Sequence, residues 1–238
     1  MTILTNIKEK LYDFVNNNDK KREIFMWIES RLIRSIDPDK FIEGLNDHLD
    51  NQKRNDVLIT QNLMRGDILM MLRVHSDISN FVSNIEEVRE NWKNGLKEKL
   101  GEIEFQDISL SNLIASNDPN GKLDGKLEYY HAVSGTTYGN GGDFKAAAMF
   151  QKFVESIGPT LLDKGVRMFG LNPITGIPIN RFMMVRGFTT AKVVEENLAV
   201  WNDPSEPTQS TYSSIWQDQF KGAEWRGGLF KTVRQIIH

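Results

Sequence analysis

The chain has 238 residues, a net charge of −3 and an isoelectric point near 5.9; 39% of its residues are hydrophobic and 26% charged, which is the range of soluble globular proteins. The absence of cysteine excludes disulfides and thiolate zinc sites and suits a reducing, cytosolic compartment. No apolar run approaches the roughly 18 to 20 residues of a bilayer span, and Met1-Thr2-Ile3-Leu4-Thr5 lacks the basic and apolar regions of a secretory signal.

Residues 3–17 carry Leu4, Ile7, Leu11 and Phe14 at helical spacing, and Asn16-Asn17-Asn18-Asp19 breaks the pattern. This predicts an amphipathic first helix set off by a polar hinge. Residues 20–36 read as a second helix through Ile24, Trp27, Ile28, Arg31 and Leu32. Asp37-Pro38 pairs an N-cap residue with a proline suited to the first helical turn, and opens a helix bearing Phe41, Ile42, Leu45 and Leu49. Residues 55–74 predict a further helix, interrupted at Gly66, and residues 84–100 another. Asn117-Asp118-Pro119-Asn120-Gly121 is a turn cluster, and Lys126 to Val133 suits a short strand. Gly135 to Gly142 is a glycine-rich loop ahead of a helix over 144–157 capped by Asp143. Thr160–Phe169, Phe182–Val185 and Thr189–Trp201 again have helical spacing, and residues 211–238 form an aromatic, basic tail. No internal repeat is evident.

The chemical motifs are weak. Asp107, Asp124 and Lys126 could form the metal-holding carboxylates and lysine of a nuclease, but Asp124-Gly125 is also a common turn pair. Asp118-Pro119-Asn120-Gly121 fails as a calcium loop, because Tyr129 stands where a glutamate is needed. Gly139-Asn140-Gly141-Gly142-Asp143 lacks the Lys-Ser/Thr of a phosphate loop. His131 beside Glu128 reads as a structural histidine. Arginines are more suggestive: on one helix Arg65 and Arg73 would lie about 80° apart, and Arg181 and Arg186 flank an apolar run. The planar guanidinium is suited to phosphate.

The order of Glu23-Ile24-Phe25-Met26-Trp27, Ile36-Asp37-Pro38-Asp39-Lys40-Phe41-Ile42-Glu43-Gly44-Leu45, Leu63-Met64-Arg65-Gly66-Asp67, Ile108-Ser109-Leu110-Ser111 and Arg186-Gly187-Phe188-Thr189 resembles the nucleocapsid proteins of phlebovirus-like segmented negative-strand RNA viruses. The resemblance implies a mainly α fold, in which two helical lobes flank a groove. It implies an N-terminal arm at 1–18 docking on a neighbour through Ile3, Leu4, Ile7, Leu11 and Phe14, lobes at 19–125 and 126–210, and a C-terminal tail at 211–238. Arg65 and Arg186 match the family's two Arg-Gly motifs. Arg73 and His75 fall where it has further basic residues, and Arg181 joins them as an RNA contact. The departures are Ile68, Met70 and Met71 at basic positions, Asn112 for an arginine, and Ile33 and Ile36 where aromatic residues would stack on bases. The expectation is a viral nucleoprotein of virion and host cytoplasm. It would be a homo-oligomeric ring or filament that encapsidates single-stranded RNA, with the viral polymerase as a further partner. No catalysis, metal, cofactor or membrane insertion is expected. The alternatives are a virion or phage-assembly protein that binds only proteins, and a metal-dependent nuclease.

Overall fold

A computed structural model describes residues 26–54, 56–136, 142–175, 181–203, 205 and 225–235. Eight strands close a barrel in the order β1-β3-β2-β8-β5-β7-β6-β4, and every neighbouring pair is antiparallel. The strands are β1 Trp27–Ser35, β2 Val57–Asn62, β3 Ile68–His75, β4 Ile103–Ser116, β5 Tyr129–Thr136, β6 Val166–Thr175, β7 Arg181–Phe188 and β8 Trp225–Arg234. The helices are α1 Pro38–Asn51, α2 Ile78–Asn91, the short α3 Lys97–Leu100, α4 Gly142–Asp163 and α5 Ala191–Asn202.

This overturns the expected mainly α, two-lobed architecture. The chain runs βαββαβ twice, the split-βαβ or ferredoxin-like unit. The first half gives strand order 4-1-3-2 and the second 8-5-7-6, and the halves join edge to edge through β2–β8 and β4–β6. Closure removes all free sheet edges. The duplication leaves a trace in sequence that goes unnoticed without the fold. Leu69-Met70-Met71-Leu72-Arg73 on β3 and Phe182-Met183-Met184-Val185-Arg186 on β7 are 113 positions apart, and so are Asn84 and Asn197.

The apolar spacing that predicts helices belongs instead to strands, for a physical reason. β3 is buried on both faces: Met70 and Leu72 point into the barrel with Ile28, Leu58, Tyr130 and Phe230, while Leu69 packs outward with Ile33, Ile59 and Phe41. A strand covered on both sides is continuously apolar and carries no period-two signal. The helix predicted over 55–74 is therefore the β2–β3 hairpin, with Gly66 in its turn, and the helix predicted over 20–36 is β1 from Trp27 onward. The predicted arm residues Ile3, Leu4, Ile7, Leu11 and Phe14 lie outside the described residues.

Helices cover the outside. The Asp37 side chain caps α1 by accepting from the Lys40 N–H at 3.1 Å, and α1 buries Phe41, Leu45 and Leu49 on the sheet. In the second half, Phe150 and Val154 of α4 pack on Met168, Phe182 and Met184, and Val194 of α5 packs on Val166 and Phe188. Among the described residues no helix is long and apolar enough to cross a membrane.

Gly44 sets how closely α1 meets α3, since a Cβ there would stand 2.6 Å from the Lys99 carbonyl oxygen. Backbone cannot yield as a side-chain tip can. Gly44→Ala is expected to cost about 1–3 kcal/mol by overpacking and to lower Tm by several degrees. Gly66→Ala, where the nearest atom is Gln61 Nε2 at 3.7 Å, should change stability by under about 0.5 kcal/mol. Thermal denaturation of both variants checks this; equal shifts would contradict it.

Candidate functional site

Between the outer face of the first-half sheet and its helices lies a cavity of about 90 Å³. Phe41, Leu45, Leu49, Trp92 and Leu96 form its apolar wall, and charged and amide groups form the other. Strand alternation puts Glu29 and Arg31 of β1 on this covered face, together with Arg73 and His75 of β3. Glu29 is only 2% exposed. Its Oε1 accepts from Arg31 Nε at 2.5 Å, and its Oε2 accepts from Asn84 Nδ2 at 2.9 Å and stands 2.7 Å from His75 Nε2. Burial alone would raise the Glu29 pKa, but the His75 hydrogen bond and the Arg31 charge outweigh it, and the carboxyl titrates below its usual range.

The network continues outward. Asn84 Oδ1 accepts from both Arg73 Nη1 and Arg54 Nη1, the latter at 3.0 Å. Arg73 Nε donates to Asp56 at 2.7 Å, Arg54 Nη2 to Glu87 at 2.5 Å, and Gln52 Nε2 to Glu87 at 2.8 Å. Three guanidiniums, of Arg31, Arg54 and Arg73, thus converge on one cavity. His48 of α1 also lines it. Burial first, and then the Arg54 charge, holds the His48 pKa below the ordinary value of 6.5, so the imidazole is neutral at pH 7. Two atoms on cavity-lining residues, Gln52 Oε1 and Asn91 Nδ2, are buried with no hydrogen-bond partner. An unmade acceptor and an unmade donor in an apolar-walled space are what a polar ligand satisfies.

The second half repeats part of this. Asn84 and Asn197 each sit seven residues beyond a helix cap, Asp77 and Thr190. Arg186 Nη1 donates to Asn197 Oδ1 at 2.8 Å, as Arg73 does to Asn84. The residue paired with the arginine differs: Glu29 opposite Arg73, His131 opposite Arg186. Arg186 Nη2 donates to His131 Nδ1 at 2.7 Å, which fixes the neutral imidazole with its hydrogen on Nε2. Burial, and then Arg186, pushes His131 down to about 4.

The arginines and histidine read from the sequence are scattered by the fold. Arg65 is in the β2–β3 turn, with its side chain 53% exposed and paired with Asp67. Arg73 and His75 belong to the first-half network, and Arg186, 4% exposed, to the second. Arg181 begins β7 opposite Thr136. The nuclease trio does not assemble. Asp107 lies near the start of β4, whereas Asp124, beyond the end of β4, is bonded to Arg167, and Lys126 Nζ donates to the Lys122 carbonyl. Among the described residues no three histidines, aspartates or glutamates gather as a metal site. Sequence reading passed over Glu29, Arg31, His48, Gln52, Arg54, Asn84 and Asn91. The available signal was the polar triplet Glu29-Ser30-Arg31, flanked by the apolar Trp27-Ile28 and Leu32-Ile33.

The architecture defines the class as a duplicated ferredoxin-like barrel, and solved structures share it. One is an anthrone oxidase-like protein, 9% identical, covering 91% of this chain and 95% of its own, with a TM-score of 0.64. Another is a putative monooxygenase from Fusobacterium nucleatum, 7% identical, covering 90% and 95%, with a TM-score of 0.66. A third is a putative chlorite dismutase, 11% identical, covering 88% and 95%, with a TM-score of 0.52. No protein-family model and no curated protein matches the sequence. At these identities the likeness is one of fold.

That fold overturns the resemblance to viral nucleocapsid proteins and what followed from it. The described residues form a closed barrel with no groove between helical lobes. Encapsidation of single-stranded RNA, a polymerase partner and a place in the virion and host cytoplasm rested on that resemblance and fall with it. The phage-assembly and nuclease alternatives gain no support. The expectation of a non-enzyme is also corrected: neighbours of this fold are described as a putative monooxygenase and a putative chlorite dismutase, so the fold is one on which enzymes are built. The cavity bounds its ligand: a cavity of about 150 Å³ holds benzene, and this one is smaller.

His131 carries a pH consequence. Its folded pKa is depressed, so the stability it contributes is full above the unfolded value near 6.5 and is lost as pH falls toward about 4. Between pH 7 and 5 the loss should be about 1–2 kcal/mol, allowing for partial solvent exposure. His131→Gln should flatten that part of the profile relative to the parent chain in urea denaturation. Parallel profiles would contradict the assignment.

Proposed function

We propose that the protein is an enzyme whose first-half cavity takes a small carbonyl acid, of up to about half a dozen non-hydrogen atoms, and removes a proton from the carbon beside its carbonyl. The observation that carries this reading is the convergence of Arg31, Arg54 and Arg73 on a cavity that a neutral histidine also lines. Guanidiniums hold carboxylates and oxyanions in charge-assisted, geometrically defined hydrogen bonds. Guanidinium N–H groups held in place by Glu29, Asp56 and Glu87 can meet a forming enolate without reorganisation, which lowers the barrier to deprotonation. Neutral His48 is in the protonation state a general base requires.

Roles follow for the remaining groups. Glu29 is ionised and bonded to Arg31, His75 and Asn84, so it anchors the arginine rather than acting as an acid. The apolar wall keeps water from the charge that develops. The neighbours' names put enzymes on this fold; the reaction proposed rests on the cavity alone.

Pyruvate is a suitable probe. In deuterium oxide the protein should accelerate exchange of its methyl hydrogens, as read by proton NMR. His48→Asn should slow that exchange about 100-fold or more while leaving pyruvate affinity within a few-fold. Arg54→Gln should weaken affinity about tenfold or more. Exchange no faster than in buffer, or unchanged in His48→Asn, would contradict the proposal.

A further inference from the structure

The second cavity lies on the other side of the sheet, inside the barrel at one end. It measures about 250 Å³, and its lining comes from both halves of the chain. Its two walls differ chemically. On one side, adjacent strands β1 and β4 present Ser30, Asp107 and Ser109, and the two serine hydroxyls are 2.6 Å apart. Across the barrel, β7, β5 and β8 present Met183, Ala132 and Phe230 beside Met70 of β3; the polar groups there are Ser134 and Asn62, whose Oδ1 accepts from the Met64 and Arg65 N–H groups.

Among the described lining residues the charge has a sign. Asp107 is partly exposed to the cavity and makes no ion pair with any described residue. Arg31, the basic residue among the described lining, gives its Nε to Glu29 on the outer face of β1. Arg34, two positions beyond Leu32 on β1, is bonded to Asp67 and Glu104. A serine hydroxyl also accepts from a charged donor, more weakly than a carboxylate does. Opposite them, methionine sulfurs make favourable contacts with aromatic ring edges. The volume exceeds the roughly 150 Å³ that holds benzene, which leaves room for one ring and a short side arm.

We infer that the barrel end is a second ligand site, and that it takes a protonated primary amine bearing a single aromatic ring. The ammonium donates to Asp107 and the Ser30–Ser109 pair, and the ring lies among Met70, Met183 and Phe230. Nothing in the first-half cavity is required for this, because the two cavities lie on opposite faces of β1 and β3.

Three matched probes separate the terms: phenethylamine, 2-phenylethanol and phenylacetate. They share the ring and differ in the charge of the arm. Binding is followed by isothermal titration and by methionine methyl NMR on the full chain, with Met70 and Met183 signals assigned through Met70→Leu and Met183→Leu. The expected result is phenethylamine binding about tenfold tighter than phenylacetate, with both methyl signals shifted. Asp107→Asn should erase that preference and leave the apo methyl spectrum in place, which shows the variant folded. Equal affinities, a preference for phenylacetate, no binding of the amine, unmoved methyl signals, or a preference that survives Asp107→Asn would each overturn the inference. His48→Asn and Arg54→Gln should leave phenethylamine affinity unchanged, so this test stands apart from the pyruvate experiment.

Discussion

Glu29 is a carboxylate that water does not reach, on a strand whose two faces are both covered. Closing the barrel buries the inner face of β1, and docking α1 and α2 buries the outer one. An ionised group there must find its whole hydrogen-bonding complement within the protein, and it does so in Arg31, His75 and Asn84. Each of those partners then constrains its own element. His75 ends β3, and Asn84 holds the middle of α2 against the sheet. Asn84 also gathers Arg54 and Arg73 on its carbonyl oxygen. The position of the helices, and with it the shape of the cavity, depends on that one charge.

Such a network is a poor device for stability. Removing one partner of a buried ion pair costs about 3–5 kcal/mol, yet replacing the whole group by apolar residues of similar volume is often neutral or better. The second half of the same chain illustrates the alternative. It keeps the Arg–Asn contact, through Arg186 and Asn197, but sets neutral His131 where the first half has Glu29. One half thus carries three guanidiniums converging on three carboxylates, Glu29, Asp56 and Glu87; among the described residues the other sets one arginine against a neutral imidazole. The asymmetry between duplicated halves marks the first as the place where charge has a task beyond packing.

Several elements were legible in the sequence because their signals are local. Asp37-Pro38 announces α1, and the apolar spacing after Thr189 announces α5, for which Thr190 is the cap. The strands were hidden because β3 and β7 are apolar on both faces, so alternation is absent. The nucleocapsid resemblance drew on short segments that owe their composition to other causes. Leu63-Met64-Arg65-Gly66-Asp67 is the turn of a hairpin, Ile108-Ser109-Leu110-Ser111 is an alternating stretch of β4, and Arg186-Gly187-Phe188-Thr189 is the end of β7 before a helix cap. The site was illegible for a further reason. Glu29, His48, Asn84 and Arg73 lie far apart in the chain, and only the crossing of βαβ units brings them to one face. The duplicated Met-Met-x-Arg and the asparagine that follows it were the readable trace of that arrangement.

On this reading the charged network exists for the cavity's chemistry and not for the fold. The most direct test is the stability and pyruvate affinity of one variant in which Glu29→Leu, Arg31→Met and His75→Phe are combined. Retained or increased stability with pyruvate binding lost is the predicted result. A loss of several kcal/mol with pyruvate binding intact would contradict it.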